Sequence, residues 1–546
     1  MNANVLHHLL PHAKTQAQRE VLRWVPSSEP SEEGKIRTPL PHDAICWAEL
    51  MGRVENTSRG LAERGFRKGD RALLFIPMSV DLYVAMFAVF RLGGIAVFLD
   101  AFARQTQLDA CAKLANPKAF FGSPEAHILR AFLPESIGSI PLQIVSGGDS
   151  SGAVRFSDLE SGNGAIPPIA EVKADDTALV TFTTGSSGTP KGANRTHGFL
   201  TAQHTALAAE LPFDKQESDM PAFPIFLLHN IACGLTTVIP AVNFSQPAAS
   251  DAHRVLRQIL HESLQTASMS PALLEALCKL ALSEGQTLPL RRLFTGGAPV
   301  GPELARLVQK AAPEAELLIF YGSTEAEPIA HISGEEMLQW MTTEMNFSTQ
   351  QGVCVGHLSD LIQLALIPIQ KTPVILENQS LSDIQVQQGE VGEVVVSGDH
   401  VCTGYYQNTQ AFTDNKIQDQ GRIWHRTGDL GRIDEKGRLW LVGRVHNAIH
   451  RNGVLLFPVE PEQILKNTPG IAQAAYVGLP DEALGESAWA VYTEEKHAQI
   501  DTQAVKSTLE AAGFPVDRLL STAKIPMDPR HNSKVDYPAL RELLNS

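Results

Sequence analysis

The chain has 546 residues, 43% hydrophobic and 19% charged, with 45 Lys+Arg against 60 Asp+Glu and a formal charge of −15. That length exceeds what one core sustains, so two or more globular domains are expected. The acidic balance argues against nonspecific binding to nucleic acid or anionic lipid, and the apolar stretch Leu82 to Phe90, bracketed by Asp81 and Arg91, is too short to span a membrane.

The chain opens MNANVLHHLLPHAK, without the basic segment and long apolar run of a signal peptide. His7, His8 and His12 are expected to decorate a short exposed helix and not to hold a metal. A polar, acidic patch from Ser27 to Gly34 reads as a loop. From Trp47 the spacing of Leu50, Val54 and Leu61 predicts a helix ending near Gly65. A turn at Gly69-Asp70-Arg71 leads into a strand over Ala72 to Ile76, then a helix from Val80 to Leu92 and a strand from Ile95 to Leu99. Strand, helix, strand is the rhythm of a parallel sheet. Weaker strand signals follow at Ala119-Phe120-Phe121 and Leu142 to Val145, before a Gly/Ser-rich stretch from Ser146 to Gly152.

The stretch from Thr177 to Gly192, TALVTFTTGSSGTPKG, carries the strongest chemical signal. Ala178 to Phe182 reads as a buried strand, and it runs into Thr183, Thr184, Gly185, Ser186, Ser187, Thr189 and Lys191. Glycines let successive backbone N–H groups turn toward one point, and such a nest beside a lysine suits phosphate. It is not a Walker A loop, because Pro190 precedes Lys191 and Gly192 follows it.

A helix beginning near Thr196-His197 comes next, then a strand–helix–strand passage from Pro221 to Pro240. Two apolar strands run into small-residue turns, Arg292 to Pro299 (with Gly297, Ala298 and Pro299) and Leu317 to Glu325 (with Tyr321, Gly322, Ser323 and Thr324). Ligands of open α/β sheets bind outside such carboxyl ends. After Gly352 the pattern turns to short β-rich segments, expected to form a smaller β-barrel-like subdomain. From Arg444 helices (Pro461 to Asn467, Gln503 to Ala512) alternate with strands (Ile471 to Val477, Ser487 to Tyr492), the mark of a separate α+β unit of domain size. The six cysteines are scattered without ligand-like spacing, which favours reduced thiols in a cytoplasmic compartment.

Taken together, these motifs resemble the adenylate-forming (AMP-binding) superfamily of acyl-CoA synthetases, luciferases and peptide-synthetase adenylation domains. Thr183 to Gly192 is similar to its phosphate loop, Gly296-Gly297-Ala298-Pro299 to its adenine turn, and Tyr321-Gly322-Ser323-Thr324-Glu325 to its central motif. Gly389-Glu390-Val391-Gly392-Glu393 and Arg426-Thr427-Gly428-Asp429 resemble its later motifs, Gly443-Arg444 its domain junction, and Lys534 its C-terminal lysine. The resemblance implies an α/β fold with a large N-terminal domain of doubly wound sheets plus the β-barrel-like part (1–442) and a mobile C-terminal domain (443–546). It also implies ATP and Mg2+ as cofactors.

Within that resemblance each position has a physical reason. Lys191 and the Ser186, Ser187 and Thr189 hydroxyls would hold the departing pyrophosphate by charge and hydrogen bonds. Glu325 is the candidate for Mg2+, Thr324 would donate to the α-phosphate, and Tyr321 would offer adenine an aromatic face. Asp429 would accept from the ribose hydroxyls. Lys534, by composition one more exposed lysine, would bridge the substrate carboxylate and the α-phosphate.

Three features depart from ordinary acyl-CoA synthetases. His446-Asn447 stands where the hinge usually has Asp or Lys, His229 is displaced two places from the fourth motif's aromatic or His, and the lysine motif reads HNSKV. PAFPIFLLHNIACGLTTVIP, GRVHNAIHRNG and IPMDPRHNSKV look like the β-lactone synthetases of bacterial long-chain olefin biosynthesis. In that subfamily a β-hydroxy fatty acid is adenylated and its own hydroxyl displaces AMP, an intramolecular attack favoured by proximity. His229 would be a base for that hydroxyl or a packed, hydrogen-bonded residue. The rival enzyme readings are a fatty acyl-CoA ligase and a fatty acyl-AMP ligase serving a carrier protein. The rival of another kind is a nucleotide-binding component of an assembly with pathway enzymes.

Overall fold

The computed structural model describes residues 2–26, 38–99, 105–184, 190–211, 213–214, 216–242, 251–344, 352–527 and 534–545. Their strands form three sheets.

The first sheet has seven strands. From one edge they are Val154–Arg155, Leu142–Val145, Ala119–Gly122, Arg71–Phe75, Ile95–Phe98, Thr177–Thr184 and Pro190–Thr196. All neighbours are parallel except the last two, which form an antiparallel hairpin. Ala72, Leu73 and Leu74 are fully buried in succession, as expected of a strand covered on both faces. The helix Val80–Arg91 begins where the Ser79 hydroxyl accepts the Leu82 N–H, and it is buried along its whole length. The strand Pro190–Thr196 has no apolar alternation. It is held in place by its partner, with Lys191 opposite Thr183.

The second sheet has fourteen strands, and its centre is parallel: Thr236–Val238, Ser218–Pro221, Thr266–Met269, Arg292–Gly296 and Glu316–Ser323. At Thr324-Glu325 the chain reverses into Ala326–Ser333 and the ladder becomes antiparallel. It continues through Val353–Leu358, Leu439–Arg444, Arg422–Ile433, Gly392–Ser397 and Gln363–Ile367. The β-rich segment expected after Gly352 is therefore present. Its strands join the large sheet edgewise and do not close into a barrel among the described residues.

The third sheet has five strands, all within 449–521, and carries its own core of Tyr476, Tyr492 and Phe514. The helix Val459–Lys466 meets the large sheet where Glu460 accepts the Gly352 N–H at 3.2 Å.

The amino-terminal segment corrects one expectation. Val5–His8 is a 3-10 turn and Leu10–Thr15 a short helix, but Val5, Leu6 and Leu9 are buried, so the segment is packed down. His8 Nε2 lies 3.1 Å from the Thr201 hydroxyl and His12 Nε2 3.1 Å from the Ala232 carbonyl, which leaves His7 as the exposed member. Apolar side chains, invisible as a pattern in so short a run, fix the histidines against two helices, His197–Glu210 and Pro224–Cys233.

Candidate active site

The site is assembled at the carboxyl ends of the central parallel strands. At the end of Arg292–Gly296, a Cβ on Gly296 would meet the Phe320 carbonyl at 2.5 Å, so only glycine lets the two strands run this close. Gly297 follows at φ +80 with open space around it, and Ala298 and Pro299 complete an exposed to half-buried turn. On the neighbouring strand the Tyr321 ring is buried. The Ser323 hydroxyl and, one strand over, the Thr295 hydroxyl are buried without a hydrogen-bond partner among the described residues. Orphaned donors at strand ends fit a ligand rich in acceptor oxygens.

Asp429 sits on Arg422–Ile433, opposite Arg444 on the antiparallel neighbour. Gly428 at φ +72 turns the backbone so that the Asp429 amide reaches the Thr427 hydroxyl at 3.0 Å. The Tyr321 hydroxyl donates to Asp429 Oδ2 at 2.8 Å, and Arg444 Nε lies 3.0 Å from Oδ1. Arg444 also donates to the Thr427 carbonyl at 2.9 Å. Burial and the adjacent Asp429 carboxylate push the Tyr321 phenol well above its ordinary range, so it stays a donor. The carboxylate is thus aimed by two partners from two strands, and each of its oxygens keeps a lone pair for a further donor.

The central motif is a turn locked from behind. The Thr324 carbonyl accepts from buried Arg195 at 2.6 Å, and the Glu325 carbonyl accepts the Cys402 N–H at 2.7 Å. The Tyr405 hydroxyl donates to Glu325 Oε1 at 3.2 Å. Lys416, buried, donates to the Cys402 carbonyl and sits 5.3 Å from the Tyr405 ring centre. Burial lowers the Lys416 ammonium's pKa, while Glu325 acts in the opposite direction. The half-buried Glu325 carboxylate retains an oxygen for a cation, the donor chemistry a divalent magnesium ion takes.

Lys191 is half-buried on Pro190–Thr196, with Nζ 3.4 Å from Asn415 Oδ1. One stretch of backbone ties it to the central motif. Tyr406 donates to the Gly192 carbonyl at 2.7 Å, Asn194 to the Gly404 carbonyl at 3.1 Å, and Val401 pairs with Ala326. Thr183 and Thr184 are placed as backbone of their strand, and Gly185, Ser186, Ser187 and Thr189 lie outside the described residues.

His446, in the 3-10 turn Val445–Asn447, reports the field of this region. Its imidazole is held below its ordinary range first by burial and then by Arg444, Lys371, Lys191 and Arg426. In a chain with a formal charge of −15, the surroundings of His446 are thus locally positive, although Arg444 is paired with Asp429 and Arg426 with Glu393. Lys534 is exposed, next to Val535, whose backbone pairs with Met527. It belongs to the unit built on the third sheet, not to the strands that carry Asp429 and Glu325.

Not every motif residue faces the site. Glu393 and Arg426 form a buried pair with contacts of 2.6 to 3.1 Å, and Arg426 also donates to the carbonyls of Gln370, Thr372 and Asp414. They fix the strand on which Asp429 rides. His229 is buried, with Nδ1 3.0 Å from His204 Nδ1 and Nε2 3.4 Å from Cys233 Sγ. These are the contacts of a packed, hydrogen-bonded residue, and burial pushes its pKa down to about 3, which makes it a weak base at neutral pH. The supporting residues Arg195, Tyr405 and Lys416 gave no sequence signal, since each is an isolated polar residue far from the motifs it supports.

The AMP-binding enzyme family matches residues 28–406. The chain belongs to that family. It is an adenylate-forming ligase of the AMP-binding enzymes. It is 30% identical to the olefin beta-lactone synthetase of Stenotrophomonas maltophilia (strain K279a) over 510 residues, 90% of this chain and 89% of that protein. It is 26% identical to the long-chain-fatty-acid–CoA ligase FadD13 of Mycobacterium tuberculosis (strain CDC 1551 / Oshkosh), over 91% of this chain and 93% of the relative. Among solved structures, ATP-bound MatB from Rhodopseudomonas palustris superposes with a TM-score of 0.79 at 20% identity, covering 100% of this chain and 99% of that one. This last likeness establishes the fold of an adenylate-forming enzyme with a large N-terminal and a small C-terminal domain. Among the described residues no helix is long and apolar enough to cross a membrane.

Proposed function

We propose that this ligase uses ATP and Mg2+ to adenylate a fatty acyl carboxylate, a long-chain β-hydroxy acid, and closes it to a β-lactone. The observation that carries the adenylation half is the Asp429 carboxylate aimed by Tyr321 and Arg444, together with the unpartnered Thr295 and Ser323 hydroxyls at the strand ends. The relative from Stenotrophomonas, at 30% identity over nearly the whole chain, supports the lactone half.

In this reading the substrate carboxylate oxygen attacks the α-phosphorus, and the bond to the bridging oxygen breaks to release pyrophosphate. Lys191 and the hydroxyls of the preceding loop neutralise the leaving group, Thr324 donates to the α-phosphate, and Lys534 offsets the repulsion of the two anions. Asp429 holds the ribose hydroxyls, Tyr321 and the Gly297-Ala298-Pro299 turn flank adenine, and Arg444 keeps Asp429 in place. Glu325 would hold Mg2+, which supplies charge neutralisation on the phosphates. The β-hydroxyl oxygen then attacks the acyl carbon, its proton leaves, and AMP departs. No thiol acceptor enters. Residues 1–442 serve as the adenylating domain and 443–546 as the mobile unit that delivers Lys534.

The test is product analysis. The purified chain with ATP, Mg2+ and a long-chain β-hydroxy acid, with and without CoA, should release AMP and pyrophosphate and yield a lactone by mass in both cases. A product that forms only with CoA, with plain fatty acids serving equally well, would instead establish the acyl-CoA ligase that the FadD13 relative represents.

A further inference from the structure

The helices His197–Glu210 and Pro224–Cys233 meet at a cavity walled by Leu6, Leu9, Phe87, Leu207 and Ile225. Three side chains with no part in adenylation converge at its edge. His229 and Cys233 are four residues apart on one helix and so share a face. His204 comes from the other helix. His229 lies 3.0 Å from His204 and 3.4 Å from Cys233, and one donor atom from each residue falls within 4.8 Å of the others. His229 is buried, while His204 and Cys233 are partly exposed and leave a way in.

We propose that His204, His229 and Cys233 form a binding site for a borderline-soft divalent cation, of which Zn(II) is the best fit. Two imidazole nitrogens and a sulfur are a zinc donor set, whereas magnesium and calcium demand oxygen. A tetrahedron with ordinary zinc bond lengths has nitrogen–nitrogen and nitrogen–sulfur edges of about 3.4 and 3.6 Å. The 3.0 Å contact is made by His229 Nδ1 and the 3.4 Å contact by its Nε2, so only one of them can be an edge of the tetrahedron; the third donor, within 4.8 Å, closes onto the ion by a side-chain rotation.

A neutral imidazole has one lone pair, and in the metal-free site those of His204 and His229 serve the hydrogen bonds within the cluster, so an incoming ion replaces these contacts. The incoming ion displaces the Cys233 thiol proton to solvent as the sulfur–metal bond forms. Three protein ligands leave the fourth position for water, which is the pattern of an open site and not a closed structural one. His8 stands behind His204 with ring centres 5.1 Å apart and its Nε2 held by Thr201, a support for that ring's orientation.

The experiment uses the untagged full chain, stripped with a chelator and titrated with Zn2+ alone, with Mg2+ as control. Retention of a single zinc per chain through desalting is expected, with Cys233→Ser and His204→Gln each weakening binding by at least roughly tenfold. Zn2+ should also protect Cys233 from alkylation in peptide mass mapping, and Co2+ should give a thiolate-to-cobalt absorption band that Cys233→Ser lacks. Absence of tight zinc binding, or binding unchanged in both variants, overturns the site. If either variant fails to fold, the wild-type protein decides: without protection of Cys233 and without the cobalt band, the three groups only hydrogen-bond one another.

Discussion

Two arginine–carboxylate pairs meet on the same strand, Arg422–Ile433, and behave as opposites. The side chains of Arg426 and Glu393 are 6% and 2% exposed, while those of Arg444 and Asp429 are 57% and 21% exposed. In the first pair every spare donor of the guanidinium is spent on backbone carbonyls of distant loops. In the second, the carboxylate is aimed from both sides and stays partly exposed. Burial thus separates charges that hold the frame from charges left open, which in the proposed function meet the ligand.

The largest effect should come from Lys534, an exposed charge that the proposed function sets between the two anions. Lys534→Ala is expected to abolish nearly all pyrophosphate release while ATP still binds and the unfolding midpoint is unchanged. Full activity in that variant would remove the lysine from the chemistry.

Arg426→Ala should do the reverse. It leaves Glu393 buried and unpaired, and denaturant unfolding should show a loss of about 3–5 kcal/mol. A loss below about 1 kcal/mol would mean that water reaches the pair and that it resembles the exposed one.

Asp429→Asn is expected to leave unfolding nearly unchanged and to weaken ATP binding by about 1.5–3 kcal/mol, the worth of hydrogen bonds to a charged group, as read by calorimetric titration. If stability falls as much as in Arg426→Ala, the division between frame and ligand charges fails. Tyr405→Phe removes one donor to Glu325 and should cost about 0.5–1.5 kcal/mol in the Mg2+ dependence of the rate, without altering ATP affinity.

A pH-dependent effect concerns groups kept uncharged. His204 is neutral in the native state down to about 4, whereas the unfolded chain protonates it near its ordinary 6.5. The unfolded state therefore binds more protons in that window, and stability falls as pH drops through it, by at most about 1.4 kcal/mol per pH unit for this group. His204→Gln should flatten the decline between those values in chemical unfolding at fixed pH. An unchanged slope would place the lost protons elsewhere.

Much of the frame was legible because burial on both faces leaves continuous apolar runs, as in Ala72-Leu73-Leu74, and because small-residue turns end the strands at Gly297 and Ser323. The strand Pro190–Thr196 was not legible. Its residues have no apolar period, and it exists because Thr177–Thr184 offers it a ladder. The β-rich segment was legible as strands but not in its pairing, since edgewise joining to the large sheet is set by long-range register. The position of Asp429 was readable, yet its aiming by Arg444 and Tyr321 depends on a cross-strand pairing and a distant strand end. The approach of His204 to the His229–Cys233 face needs two helices to pack. The four-residue spacing of His229 and Cys233 was the only trace of it in the chain, and the scattered cysteines concealed it.

The backbone from Val401 to Tyr406 pairs with Ala326 at one end and bonds to Gly192 at the other. It works as a yardstick of peptide units between the lysine of one sheet and the acid of another. Its backbone bonds do not depend on which side chains it carries, but they do depend on its count of residues. A single insertion would slide Lys191 against Glu325 by about 3.3 Å, one strand residue, and put a phosphate group out of reach of one of them.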